Sequence, residues 1–277
     1  MTDQYAVIGN PVEHSLSPRI HAEFARATGQ GLTYGRIFAA LDGFDAAALG
    51  FRDGGGKGLN VTLPFKHEAW RIADTRAGYA QAAGAVNTLK FERGRIAGHN
   101  TDGIGLVRDL MENLGSPIRD RRVLLAGAGG ASYGVMEPLL REKPASLVVA
   151  NRTLGKAVDL VGRFEALHKF AATGVAAKSY EALDGARFDI IINATSAGLA
   201  DAMPPLPREV FAPGALAYDM VYGRRTPFMR FAADCGARAA DGLGMLVEQA
   251  AESFFIWRGV RPETAPVIRR LRQKEEG

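Results

Sequence analysis

The sequence predicts an α/β protein, with an N-terminal, mostly parallel α/β domain joined to a C-terminal Rossmann dinucleotide-binding domain. Three observations predict it. Apolar strand-like runs alternate with helical patterns along the chain, the signature of βαβ units and parallel sheets. A strand, a glycine turn and a helix start follow one another in "VLLAGAGGASYG" (123–134). The length, 277 residues, is enough for two domains of about 150 residues each.

Taken in order, "YAVIG" (5–9) is a strand. "PRIHAEFARATG" (18–29) is a helix, because Pro18 suits the first helical position and Gly29 closes the last turn. "LTYGRIFAA" (32–40) is a second strand and "DGFDAAALGFRD" (42–53) is helical. "GLNVTLPF" (58–65) is the third strand, stopped by Pro64; Leu59, Val61 and Leu63 are expected on one face, and Asn60 and Thr62 on the other. "HEAWRIA" (67–73) begins a helix, and "AVNTLKFERGRIAGHN" (85–100) is a hairpin turning at Arg93–Gly94. "DGIGLVRDLMENLG" (102–115) is a helix leading into the glycine-turn unit. "SLVVAN" (146–151), "FDIIINAT" (188–195) and "LAYDMVY" (216–222) are further strands, with helical segments between the first two. "DGLGMLVEQAAESFFIWRG" (241–259) is a long helix with an apolar stripe, and "APVIRRLRQKEEG" (265–277) is a tail helix. The domains are expected to be 1–101 plus 241–277, and 102–240.

Composition narrows the class. The hydrophobic fraction of 47% and charged fraction of 23% are those of a globular protein. Cys235 is the single cysteine, which excludes an intramolecular disulfide and a cysteine-only metal site. The N-terminus has no basic region followed by an apolar stretch, so no signal peptide is read. No run approaches the roughly 18 apolar residues of a membrane span. A cytoplasmic protein with no membrane partner is expected. The net charge of +4 suits anionic ligands. The basic residues are scattered apart from "RRLRQK" (269–274), read as a solvated helix face, so nucleic acid is not an expected partner.

In the glycine turn, Gly127 and Gly129 occupy the first two positions of G-x-G-x-x-G, and Ser132 stands at the third. Such a turn lets backbone approach a pyrophosphate, and the helix behind it offers unpaired N–H groups and a positive dipole end. A plain strand–helix corner has the same local pattern. The decision comes 24 residues beyond Gly127, at Asn151. An NAD site carries an acid near this position for the ribose 2′-hydroxyl. This chain has Asn151, Arg152 and Thr153, with Lys156 one turn on. A guanidinium and an ammonium suit a 2′-phosphate, so the reading is NADP. Thr153 also has the position of a helix N-cap.

Polar residues gather at strand ends in the first domain. Ser15 and Ser17 lie two apart before a helix, a carboxylate cradle or, for Ser17, an N-cap. Asn60, Thr62 and Lys66 follow the third strand, then Asn87 and Asp102. Hydride transfer to a ketone needs a proton for the oxygen, and a lysine can supply it. The helix dipole opposes the charge of Lys66, whereas a nearby Asp102 favours it. Asp102 has a helix-capping alternative. Together these small polar groups suit a ligand with several hydroxyls.

"GNPVEHSLSP", "NVTLPFK", "GAVNTL", "NTDGIGL", "GAGGAS", "NRT", "INATSAG", "YDMVY" and "DGLGMLVEQA" have the order and spacing of bacterial shikimate dehydrogenases, and this resemblance runs from about Ile8 to about Gly259. It implies NADPH-dependent reduction of 3-dehydroshikimate to shikimate, on the route to chorismate and the aromatic amino acids. It implies that Ser15 and Ser17, with Tyr222, bind the substrate carboxylate. Asn60, Thr62, Asn87, Asp102 and Gln249 would bind hydroxyls, with Lys66 as proton donor or acceptor paired to Asp102. Gly127, Ala128, Gly129, Gly130, Ala131, Ser132, Asn151, Arg152, Thr153, Lys156, Met220 and Gly242 would contact NADP. It further implies a substrate domain, onto which the C-terminal helices fold back, and a cleft that closes on the ligands. Two positions depart from the family pattern. Gly78 stands where an acid is frequent, and Tyr133 where arginine is.

The partners expected are therefore small molecules, with monomer or homodimer left open. Other chemistries fall away. "DGGGKG" has Phe51 where a P-loop needs glycine and Gly58 where it needs Ser or Thr. The five histidines, His14, His21, His67, His99 and His168, have no metal-ligand spacing, and "TSAG" is not a nucleophile elbow. A quinate-preferring enzyme using NAD and a catalytically silent shikimate-binding sensor are the alternatives; Arg152 argues against the first, and intact Lys66 and Asp102 against the second.

Overall fold

A computed structural model describes residues 2–171 and 173–275. The chain divides into two units, Met1–Gly105 with Val247–Gly277, and Leu106–Leu246.

The first unit runs β1 (Asp3–Gly9), α1 (Ser17–Thr28), β2 (Leu32–Phe38), α2 (Phe44–Asp53), β3 (Gly58–Val61), α3 (Lys66–Ile72), β4 (Thr75–Arg76), α4 (Gly78–Ala83), β5 (Thr88–Glu92), β6 (Arg95–His99) and α5 (Asp102–Arg108). Its strand order is β2-β1-β3-β5-β6-β4. β1 pairs parallel to β2 and β3, and β4 parallel to β6; β5 is antiparallel to β3 and β6. The core packs Ile8, Leu59, Val61, Leu89 and a stacked Phe44–Phe65 pair. Gly29 ends α1 in the left-handed conformation. Arg93 and Gly94 both have positive φ, as a two-residue hairpin turn demands.

β3 is shorter than the alternation of its sequence predicts. Its ladder ends at Val61, because the chain leaves the sheet as soon as Thr62 N–H has bonded to Ile8 O. A turn closed by Phe65 N–H to Thr62 O follows. Leu63 is thereby turned out to solvent, 68% exposed, rather than lying beside Leu59 and Val61. β4 and α4, two and six residues long, were too short to show a period.

In the second unit the helix from Asp102 does not stay α-helical to Gly115: it passes into a π-helical turn over Asp109–Asn113. Then come β7 (Arg122–Ala126), α6 (Gly130–Arg141), β8 (Ser146–Ala150), α7 (Leu154–Arg163), α8 (Glu165–Ala171), β9 (Gly174–Lys178), β10 (Phe188–Asn193), β11 (Phe211–Asp219), α9 (Pro227–Asp234) and β12 (Arg238–Asp241). The order β12-β11-β10-β7-β8-β9 is parallel throughout. Counted within the unit this is 6-5-4-1-2-3, the Rossmann order, with its switch point between β7 and β10. β9 and β12, both edge strands, are additional to the sequence reading. α10 (Leu243–Arg258) carries the chain back into the first unit, which α11 (Ala265–Glu275) completes. Glu276 and Gly277, the end of the expected tail helix, lie outside the described residues.

Candidate active site

At the carboxyl end of the first unit's sheet, Lys66 opens α3 and Asp102 opens α5. The Lys66 ammonium donates to Asp102 Oδ2 at 2.6 Å, with side chains 28% and 14% exposed. The second carboxylate oxygen accepts from Asn87 Nδ2 at 2.8 Å. Asp102 is therefore not spent on capping α5. Its own N–H is instead held by Asn100 Oδ1.

Asn87 is the centre of a buried web. Its Nδ2 also donates to Thr101 Oγ1 at 2.9 Å, and its Oδ1 accepts from Thr101 N–H at 2.9 Å and Thr88 Oγ1 at 3.0 Å. Gln249 Oε1, from α10, lies 3.4 Å from the same Nδ2. Asn60 sits alongside, its Nδ2 donating to Ser253 Oγ at 2.9 Å and Thr88 Oγ1 at 3.1 Å. The Asn60 carbonyl oxygen accepts from the Tyr34 hydroxyl at 2.7 Å. Burial pushes the Tyr34 phenol well above its usual pKa range, opposed by the Ser17 hydroxyl and by the charge of Arg36. The His21 ring stacks on Tyr34 at 4.2 Å, fully buried, with neither ring nitrogen hydrogen-bonded. Burial lowers its pKa to about 3, so it is neutral.

Ser15 and Ser17 form their own turn. Ser17 N–H donates to Ser15 Oγ at 3.3 Å, which leaves the Ser15 hydroxyl proton unspent. The N-cap of α1 is Leu16, so Ser17 is the first helical residue rather than a cap. Thr62 follows β3 and lies against Gly9: a Cβ on Gly9 would stand 2.4 Å from Thr62 Cγ2. The Thr62 hydroxyl makes no hydrogen bond to another described residue. Four residues of the web have roles the sequence hid: Tyr34, Thr88, Thr101 and Ser253 are ordinary polar or aromatic residues until the fold closes. Ser253 stands one turn beyond Gln249 on α10, and that i, i+4 spacing was the one available signal.

In the second unit the remaining candidates lie at the carboxyl ends of parallel strands. Gly127 follows β7 with φ +106°, a conformation only glycine adopts readily, and its Cβ position is 3.0 Å from Thr195 Cγ2. Around the Cβ positions of Gly129 and Gly130 there is no heavy atom within 4 Å. Gly129 caps α6 without a side chain, and with Ser132 N–H bonded to Gly129 O, the N–H groups of Gly130 and Ala131 remain for an anion. Ser132 replaces the third glycine and donates from Oγ to Gly127 O at 2.8 Å, tying the turn together. Beyond β8, Asn151 Nδ2 bonds Thr153 O, and Thr153 takes the N-cap position of α7 with its hydroxyl unengaged. Among the described residues no carboxylate pairs with Arg152 or Lys156, both exposed. An open glycine cradle and two unpaired cations fit a dinucleotide with an extra phosphate.

Asn193 and Asp219 hold the neighbouring loops. Asp219 accepts from Thr226 Oγ1 at 2.6 Å, Val221 N–H at 3.0 Å and Asn193 Nδ2 at 3.2 Å. Burial raises its pKa, and those three donors act against the rise. Met220 follows β11 and Gly242 follows β12. They touch so closely that a Cβ on Gly242 would stand 2.3 Å from Met220 O. Tyr222 belongs to this loop of the second unit. Of the departures, Tyr133 lies under the Arg163 guanidinium, 5.6 Å from the ring centroid, and Gly78 begins α4 with open space at its Cβ. No group of described His, Cys, Asp and Glu residues has the makings of a metal site, and no described helix is long and apolar enough to cross a membrane. The His168 side chain lies outside the described residues.

Comparison with known proteins gives the following. The model of the shikimate dehydrogenase substrate binding domain matches residues 7–89, that of shikimate/quinate 5-dehydrogenase residues 109–200, and that of the shikimate 5′-dehydrogenase C-terminal domain residues 242–272. A shikimate dehydrogenase (NADP(+)) of Alkalilimnicola ehrlichii is 57% identical over 274 residues, covering 98% of this chain and 99% of the relative. Among solved structures, an Ael1 enzyme from Pseudomonas putida is 52% identical with a TM-score of 0.92, covering 98% of both chains. A shikimate 5-dehydrogenase from Thermus thermophilus, solved with NADP(H) and shikimate, is 32% identical with a TM-score of 0.84, covering 98% of this chain and 99% of the other.

Proposed function

The chain belongs to the NADP-dependent shikimate dehydrogenases, and on that premise we propose how its own residues perform the reversible reduction of 3-dehydroshikimate to shikimate. The observation that carries the proposal is the Lys66–Asp102 pair at 2.6 Å, anchored through Asn87. NADPH supplies the hydride when bound. As negative charge develops on the substrate oxygen, the Lys66 ammonium donates the proton, and in the reverse direction the neutral amine takes it back. Asp102 accepts from Lys66 and keeps its Nζ in one place, and the Asn87 bond fixes the carboxylate in turn. Lys66 has three N–H donors and gives one to Asp102, so two remain for substrate.

Thr62, with an unspent hydroxyl, binds a ring hydroxyl beside Lys66. Asn60 Nδ2 is committed within the web, so Asn60 meets a ligand hydroxyl through its second carbonyl lone pair. Gln249 reaches the same cluster from α10. Ser15 and Ser17 take the carboxylate. In the second unit, the Gly127–Ser132 cradle takes the pyrophosphate and Arg152 with Lys156 the 2′-phosphate. The test follows nicotinamide absorbance with shikimate and quinate, each with NADP and NAD, in wild type and Lys66→Ala. Turnover confined to shikimate with NADP, lowered at least about 100-fold by Lys66→Ala, is the expected result. Full turnover by Lys66→Ala refutes the proton role. Comparable rates with quinate or NAD refute the specificity assigned to this chain.

A further inference from the structure

β2 is an edge strand, and its alternate residues Tyr34 and Arg36 share one face. The contacts of Tyr34 show where that face looks, since its hydroxyl reaches Asn60 at 2.7 Å. Arg36 lies one pleat nearer the carboxyl end of the sheet, opposite Val7 of β1, and β1 runs two residues further into the loop that carries Ser15 and Ser17. The Arg36 guanidinium donates to Ser15 O at 2.7 Å. Among the described residues no carboxylate lies within ion-pair distance of it. A guanidinium has five N–H donors, and the Ser15 carbonyl occupies one. Its positive charge therefore stands uncompensated beside two serine hydroxyls, at the end of the sheet where ligands of α/β folds bind.

We propose that Arg36 is a specificity-determining residue, supplying the positive charge that selects a carboxylate-bearing substrate at the Ser15–Ser17 turn. The proposal rests on the assignment of that turn to the substrate carboxylate. Two serine hydroxyls alone do not distinguish a carboxylate from a neutral amide or ester, because each offers one O–H donor to any acceptor. The guanidinium does, through its charge, and its bond to Ser15 O also keeps it next to the turn. An exposed charge is screened by salt, so the contribution belongs to substrate binding and falls as ionic strength rises.

The experiment measures kcat and KM for shikimate at saturating NADP, from low to high sodium chloride, in wild type, Arg36→Gln and Arg36→Lys. Arg36→Gln is expected to raise KM for shikimate about ten-fold at low salt, with kcat nearly unchanged, because the lost attraction is that of a partly screened charge a few ångströms away. Wild-type KM rises with salt; that of Arg36→Gln is flat, and Arg36→Lys restores the slope. An unchanged KM in Arg36→Gln overturns the proposal. So does a raised KM that keeps the wild-type salt slope, since it marks a guanidinium that only braces the Ser15 loop. A wild type that does not turn over shikimate overturns the functional assignment itself, which separates that failure from a failure of Arg36 alone.

Discussion

Replacing Asn87 by alanine tests whether the buried web, rather than the Lys66–Asp102 pair by itself, builds the site. The side chain is 3% exposed. The substitution removes the bond to Asp102 Oδ1 at 2.8 Å, a hydrogen bond to a charged group whose net contribution is about 1.5–3 kcal/mol. It also leaves Thr101 N–H, buried and bonded to Asn87 Oδ1 at 2.9 Å, without its partner, at a cost of about 1–3 kcal/mol. The sum, roughly 2.5–6 kcal/mol, is a large share of the ~5–15 kcal/mol that holds a domain folded. Urea unfolding followed by circular dichroism reads this loss as a lowered midpoint at unchanged slope. Steady-state kinetics on the fraction still folded then read the second effect, a fall in kcat from an Asp102 carboxylate free to turn away from Lys66. A variant within about 0.5 kcal/mol of wild type, the range of a neutral surface change, with normal kcat, refutes the reasoning.

Three further outcomes follow from the same geometry. Gly9→Ala places a Cβ 2.4 Å from Thr62 Cγ2, so the Thr62 side chain must move; KM for shikimate rises several-fold at unchanged KM for NADP, and an unchanged shikimate KM counts against Thr62 as a ligand residue. Arg152→Ala raises KM for NADP at least about ten-fold and leaves KM for NAD unaltered, because arginine binds only the additional phosphate; equal changes for both cofactors rule out the 2′-phosphate assignment. His21 is neutral in the fold with a pKa near 3 against 6.5 unfolded, so stability is complete above about pH 6.5 and falls as pH drops toward 3, by up to about 1.4 kcal/mol per pH unit. His21→Phe, measured across pH 4–7 by thermal unfolding, flattens that limb; an unchanged slope refutes His21 as its source.

Much of the fold was legible because its signals are local. Pro18 and Gly29 bracket α1, Arg93–Gly94 makes the hairpin turn, and the glycine turn after β7 needs a positive φ at Gly127. The two unit crossings fall inside helices, after Gly105 in α5 and after Leu246 in α10, so the chain passes between the units without a separate linker. β3 misled for a different reason: alternation continues through Leu63 in the sequence, but its partners in β1 and β5 end, and a strand lasts only as long as its ladder. Lys66 and Asp102 were legible as a motif pair. Their 2.6 Å contact spans 36 positions and needed the sheet to bring α3 and α5 together.

The hydrogen-bond inventory explains why Tyr34, Thr88, Thr101 and Ser253 escaped a reading based on motifs. A site of this kind needs groups with unspent bonding capacity facing the ligand, and others whose capacity is spent on holding the first set still. Thr62, Ser15 and Lys66 are of the first kind, with donors left over. Asn87 is of the second, because its amide hydrogens and carbonyl oxygen are all taken by Asp102, Thr101 and Thr88. Both kinds are small polar residues at strand ends, and a sequence does not distinguish them. The distinction matters for what a substitution does: loss of an unspent residue such as Thr62 is expected to weaken binding alone, whereas loss of a spent one such as Asn87 is expected to lower stability and misplace Asp102 together.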